Sequence, residues 1–101
     1  MLLVELTDLN YARSGYSLEI DPRGPGALVV LRSPYGEVLA RSIIATEKLL
    51  QMLDLEVPAI SGSGIRLEEN DSRLVVSTPN GTHGFFSRVD LQPLPRAALL
   101  H

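Results

Sequence analysis

Residues 27–46, ALVVLRSPYGEVLARSIIAT, decide the fold. Ser33-Pro34-Tyr35-Gly36 carries the side chains of a type I turn: an oxygen acceptor first, a proline that presets φ second, a glycine last. The chain therefore reverses here. Before the turn, Leu28, Val29, Val30 and Leu31 form a continuous aliphatic run, as in a central strand covered on both faces. After it, Val38, Ala40, Ser42 and Ile44 share one face of a strand, and Glu37, Leu39, Arg41 and Ile43 share the other. Neither face is cleanly polar, so both are expected to meet other groups. At Thr46 the apolar spacing becomes helical. Thr46 is the expected N-cap, Glu47 lies where the helix dipole favours acid, and Leu49, Leu50, Met52 and Leu53 form the apolar stripe. Met52 reads as core filler. Pro58 and the residue before it end the helix.

Working outward, residues 2–6 alternate as a strand and residues 8–14 read as a loop. Tyr16, Leu18 and Ile20 alternate with Ser17 and Glu19, the clearest half-buried strand in the chain. Residues 21–26, DPRGPG, are expected to be a loop because of their prolines and glycines. Residues 59–64 read as a Ser/Gly connector.

From Ser63 the pattern starts again. Residues 14–19 match 63–68, Leu28-Val29-Val30 matches Leu74-Val75-Val76, Ser33-Pro34-Tyr35-Gly36 matches Thr78-Pro79-Asn80-Gly81, and Val38-Leu39-Ala40-Arg41 matches Phe85-Phe86-Ser87-Arg88. The tight turn ENDSR replaces the longer DPRGPGA. The expectation is a mainly β (α+β) fold in one domain, residues 1–101, made of two antiparallel three-stranded meanders related by internal duplication. The βββα-like units are 14–55 and 63–100, and they bury their apolar faces on each other as a small barrel or sandwich. One short helix follows the first meander. Pro95 is suited to the first turn of a short C-terminal helix carrying Leu99 and Leu100.

At 101 residues the chain is long enough to close a core. It has no cysteine, hence no disulfide, thiolate metal site or thiol nucleophile. The apolar start MLLVEL lacks a basic lead-in and meets acid at Glu5, so a cytoplasmic, non-membrane protein is expected. Twelve acidic residues face nine basic ones, a net charge of −3. That balance argues against a general grip on duplex phosphate.

Chemistry-bearing constellations are sparse. His83, in NGTHG, is the one internal imidazole; as a general base it would need a nucleophile such as Ser87 or Thr82 and an orienting acid, of which Asp90 is nearest in sequence. Glu68, Glu69, Asn70 and Asp71 lack the spacing of a calcium loop. No phosphate cradle is present. No catalytic residue, metal or cofactor is assigned.

Two non-enzymatic classes follow. The first is a protein-interaction or assembly module, a small homo-oligomeric accessory subunit that self-associates and meets a protein partner through Leu39, Arg41, Phe86, Arg88, Leu99 and Leu100, with Leu39 and Phe86 facing outward. The alternative is a single-stranded nucleic-acid binder using Arg32, Arg41, Arg66, Arg88 and Tyr35, with Tyr16, Phe85 or Phe86 as stacking platforms. Successive antiparallel strands followed by a helix resemble, in outline, the units of the Whirly family. That resemblance implies a curved sheet presented to single strands. A small enzyme or enzyme subunit with a site around His83 is the second alternative.

Overall fold

The computed structural model describes residues 2–10, 12–54 and 56–91, with Val89 described by its backbone only. Alternating apolar residues and turn chemistry give eight strands: β1 (Leu2–Thr7), β2 (Arg13–Arg23), β3 (Gly26–Arg32), β4 (Val38–Ala45), β5 (Ala59–Ser61), β6 (Arg66–Asn70), β7 (Arg73–Thr78) and β8 (Gly81–Ser87). One helix, α1 (Thr46–Leu53), follows β4, and a 3-10 turn (Arg88–Leu91) follows β8. The strands form two antiparallel four-stranded meanders, β1-β2-β3-β4 and β5-β6-β7-β8. The fold is thus mainly β. The sheets stay separate as a sandwich-like pair, so the closed barrel form of the expectation does not occur.

Period-two alternation fills the space between the sheets. Leu18, Ile20, Val29, Leu31 and Ile44 from the first sheet meet Ile60, Leu67, Leu74, Val76 and Phe86 from the second and Ile65 from the β5–β6 connection, all nearly inaccessible. Tyr16 and Phe86 cross the gap with ring centroids 5.6 Å apart, tilted at 58°, a favourable non-sandwich geometry. Leu49 and Met52 of α1 join the same core, and the helix lies against β3, β4 and β5. Met52 as core filler is therefore confirmed.

Several local expectations are corrected. Each sheet has four strands rather than three: β1 extends the first by pairing with β2, and residues 59–61, expected as connector, extend the second by pairing with β6. Pro22 sits in the ladder opposite Ala27, and the loop of residues 21–26 shrinks to a turn at Gly24-Pro25. There β2 has run past Leu2, the last paired residue of β1, and a strand with one free side tolerates proline. Ala45, not Thr46, holds the N-cap position of α1, and no side chain caps it. Instead Thr46 binds the β2–β3 turn, its N–H donating to Pro25 O at 2.9 Å and its hydroxyl to Gly24 O at 3.2 Å. The expected C-terminal helix, with Leu99 and Leu100, lies outside the described residues.

Both long hairpins carry a bulge on the returning strand. Leu31 pairs with Ala40 and Arg32 with Val38, leaving Leu39 extra; Val76 pairs with Gly84 and Ser77 with Thr82, leaving His83 extra. These bulges reset side-chain parity, and the site residues are rearranged by them.

Candidate association face

The turn at Ser33 forms as its residues dictate. Gly36 N–H donates to Ser33 O at 3.0 Å, and Ser33 Oγ accepts the N–H groups of Tyr35 and Glu37 at 3.2 Å each. From this anchor the register runs across the outer face of the first sheet in rows: Glu5–Ser17–Arg32–Val38, Leu3–Glu19–Val30–Arg41, and Asp21–Leu28–Ile43. Leu3 is 60% exposed and Ile43 56%, yet Val30, between them and outside the core cluster, is only 7% exposed. Its neighbours cover it. Glu19 on β2 and Arg32 on β3 form an ion pair at 2.6 Å, and Arg32 also donates to Gly36 O at 2.9 Å. Tied down in this way, Glu19 and Arg32 leave Leu28, Val30 and Ile43 as adjacent apolar side chains, with Leu3 at the β1 margin. A hollow of about 220 Å³ opens at that margin, lined by Leu3, Glu5, Leu6, Arg13, Gly15, Tyr16 and Ser17.

Three ion pairs neutralise most of the surrounding charge: Glu19–Arg32, Asp21–Arg23 at 3.0 Å, and a loose Glu5–Arg13 contact at 4.0 Å between largely exposed side chains. Arg41 is exposed and has no ion-pair partner among the described residues.

The expected interaction residues separate. Arg41 is on the outer surface as expected. Phe86 is not: it pairs with Leu74 on the inner face and is 3% exposed, while its neighbour Phe85 is 52% exposed on the other face. The His83 bulge shifts the parity by one. Leu39 is half-buried and packs against the core, because the β4 bulge turns it inward, and Val38, expected inside, is exposed. Arg88 is buried, donating from one terminal nitrogen to Met52 O at 2.9 Å and Leu53 O at 3.4 Å. It places a positive group at the α1 C-terminus, where unpaired carbonyls concentrate negative charge.

The arginines expected for single strands do not converge. Arg88 is inside, Arg32 is held by Glu19, and Arg66 lies 3.9 Å from Glu68. Tyr35 stands 90% exposed at a hairpin tip, and Tyr16 packs on Phe86. Around His83, Nε2 lies 3.0 Å from Thr78 Oγ1, which also accepts the Asn80 N–H at 3.2 Å. Asp90 does not orient this histidine. Its carboxylate accepts the Thr7 N–H at 2.8 Å and the Thr7 hydroxyl at 3.1 Å, fastening the last turn to β1. Among the described residues no group of three or more acidic or histidine side chains could hold a metal, and no helix is long and apolar enough to cross a membrane. Comparison with protein-family models, curated proteins and solved structures returns no match.

Proposed function

We propose that this protein is a non-catalytic association module, a small accessory subunit that binds protein, itself included, through the outer face of its first sheet. The observation that carries this reading is the apolar group Leu28, Val30 and Ile43, flanked by Leu3, on a sheet face that no described element covers. Glu19, Arg32, Asp21 and Arg23 around it are already paired with one another, so among its charged neighbours the unpaired charge to be covered is mainly that of Arg41. An apolar sheet face rimmed by polar groups is the usual character of a protein contact site. Duplication of a three-stranded unit is part of the same proposal. It is supported by the shared strand order of β2-β3-β4 and β6-β7-β8 and by a bulge on the returning strand of each hairpin.

Sedimentation equilibrium on the wild type and on Leu3→Ser/Ile43→Ser, beside titration of a labelled single-stranded oligonucleotide at low salt, tests the function. The expected result is a mass that rises with concentration, a monomeric double variant with an unchanged melting temperature, and no oligonucleotide binding. A monomer at every concentration, or micromolar oligonucleotide binding abolished by Arg41→Ala, would overturn it.

A further inference from the structure

We infer that the first-sheet face recognises a second copy of this chain through a twofold axis running parallel to the strands, with Arg41 of each copy entering the hollow beside Glu5 of the other. The inference rests on the association reading above. It starts from where the uncommitted charge lies. Arg41 sits on β4, and Glu5, with only its loose 4.0 Å contact to Arg13, sits on β1, so the two are at opposite margins of one face.

Two copies stacked face to face by a twofold in the plane of contact have two simple arrangements. An axis perpendicular to the strands lays β1 over β1 and β4 over β4, bringing Glu5 towards Glu5 and Arg41 towards Arg41. An axis parallel to the strands lays β1 over β4 of the other copy. The second arrangement brings unlike charges together twice, once on each side of the axis, and like charges facing across an interface are strongly disfavoured. Glu5 and Arg41 lie in adjacent rows of the face, one side-chain repeat of roughly 6.6 Å apart along the strand, a step an arginine side chain can span. The hollow at the β1 margin suits that side chain: Leu3, Leu6 and Tyr16 offer apolar walls for the stem, and Glu5 an acceptor for the guanidinium. Leu28, Val30 and Ile43 then meet the corresponding region of the other copy near the axis.

The size of the face sets the strength. Four strands about 4.8 Å apart and about seven residues long, at about 3.3 Å per residue, cover roughly 450 Å² per copy. The pair buries roughly 900 Å², below the ~1,200 Å² at which stable interfaces begin. The dimer is therefore of the weak, transient class, and association must be followed to high protein concentration.

Charge reversal tests the geometry. In sedimentation equilibrium Arg41→Glu and Glu5→Arg should each weaken association about tenfold. The double variant, and an equimolar mixture of the two single variants, should return to within about threefold of wild type. Circular dichroism melts should be unchanged, since both side chains are exposed. If the wild type associates and Leu3→Ser/Ile43→Ser abolishes it, but the single reversals have no effect, this geometry is wrong while the association face stands. Failure of the double variant to recover would likewise overturn the pairing. A wild type that remains monomeric refutes both.

Discussion

The two sheets use one wiring scheme with opposite fillings. In the first, the returning strand β4 presents small inner residues, Ala40 and buried Ser42, before Ile44; in the second, β8 presents Gly84 and then Phe86. Gly84 leaves room for the Phe86 ring, whose Cζ would lie 3.0 Å from a β-carbon placed there, and Tyr16 meets that ring from the first sheet. Two hairpins of the same strand order thus fill one core with different contents. The sharpest way to break this comparison is at adjacent phenylalanines. Phe86→Ala removes a buried aromatic and should lower unfolding stability by about 3–5 kcal/mol. Phe85→Ala, on the opposite face, should stay within about 0.5 kcal/mol. Urea unfolding of both reads the difference directly.

That pair also shows how far the sequence could be read. Period two, turn residues and the change of period near Thr46 were sufficient for the strands, the long hairpin and the helix. They were insufficient for residues after each bulge, since a single extra residue inverts every later side chain. Nothing local in NGTHGFF marks His83 as the extra residue. The same limit makes Leu39 read as external. The match of Leu28-Val29-Val30 with Leu74-Val75-Val76 is one residue off for another reason, since these strands precede the bulges: counted back from the matched turns at Ser33 and Thr78, Leu74 stands at Val29, and both face the core whereas Val75 does not. Arg88 reads as an exposed interaction residue for a different reason. Its partners are carbonyls at the end of α1, more than thirty residues away in sequence, and backbone acceptors leave no mark on composition. Of the described residues of the expected face, Arg41 is the one that stands exposed on a strand, and period two already puts Ile43 beside it on β4; Leu3 becomes their neighbour only through register.

The two seams between the sheets differ as well. At one, the Thr7–Asp90 hydrogen bonds join β1 to the last turn. At the other, backbone lies directly on backbone: Gly64 N–H donates to buried Ser42 Oγ at 3.1 Å, and a β-carbon on Gly64 would collide with Arg41 O, one on Gly62 with Ser42 Oγ and Ile43 O. Gly64→Ala should therefore destabilise by about 2–3 kcal/mol, the order expected for forced overpacking. Asp90→Asn keeps an acceptor for Thr7 and should lose only about 1 kcal/mol. Thermal melts that ranked these the other way would place the tighter seam at β1.

Arg88 ties the second sheet to the helix that follows the first. Arg88→Met preserves the bulk of the side chain but leaves the Met52 and Leu53 carbonyls without their charged donor, an expected loss of about 2 kcal/mol. Part of that loss is offset because Arg88 Nε is itself buried with no acceptor among the described residues. Hydrogen exchange localises the effect. The α1 amides should lose protection before those of β3, whose ladder is flanked by β2 and β4.

The smallest expected effect compares two turns. In the first hairpin the left-handed position, φ +82°, is held by Gly36, where a β-carbon would meet open space. In the β6–β7 turn two non-glycine residues occupy that region, Asp71 at φ +51° and Ser72 at φ +65°. Aspartate tolerates it through its short polar side chain, but serine has less compensation. Ser72 is exposed, and its carbonyl, which accepts the Arg88 N–H at 3.2 Å, survives any side-chain change. Ser72→Gly should thus raise stability by about 0.5 kcal/mol, the relief of strain slightly exceeding the added freedom of the unfolded chain. Gly36→Ala has the opposite sign, because strain is introduced where none existed, and should cost about 1 kcal/mol. If both variants destabilise equally, the β6–β7 turn is held by its side chains rather than strained by them.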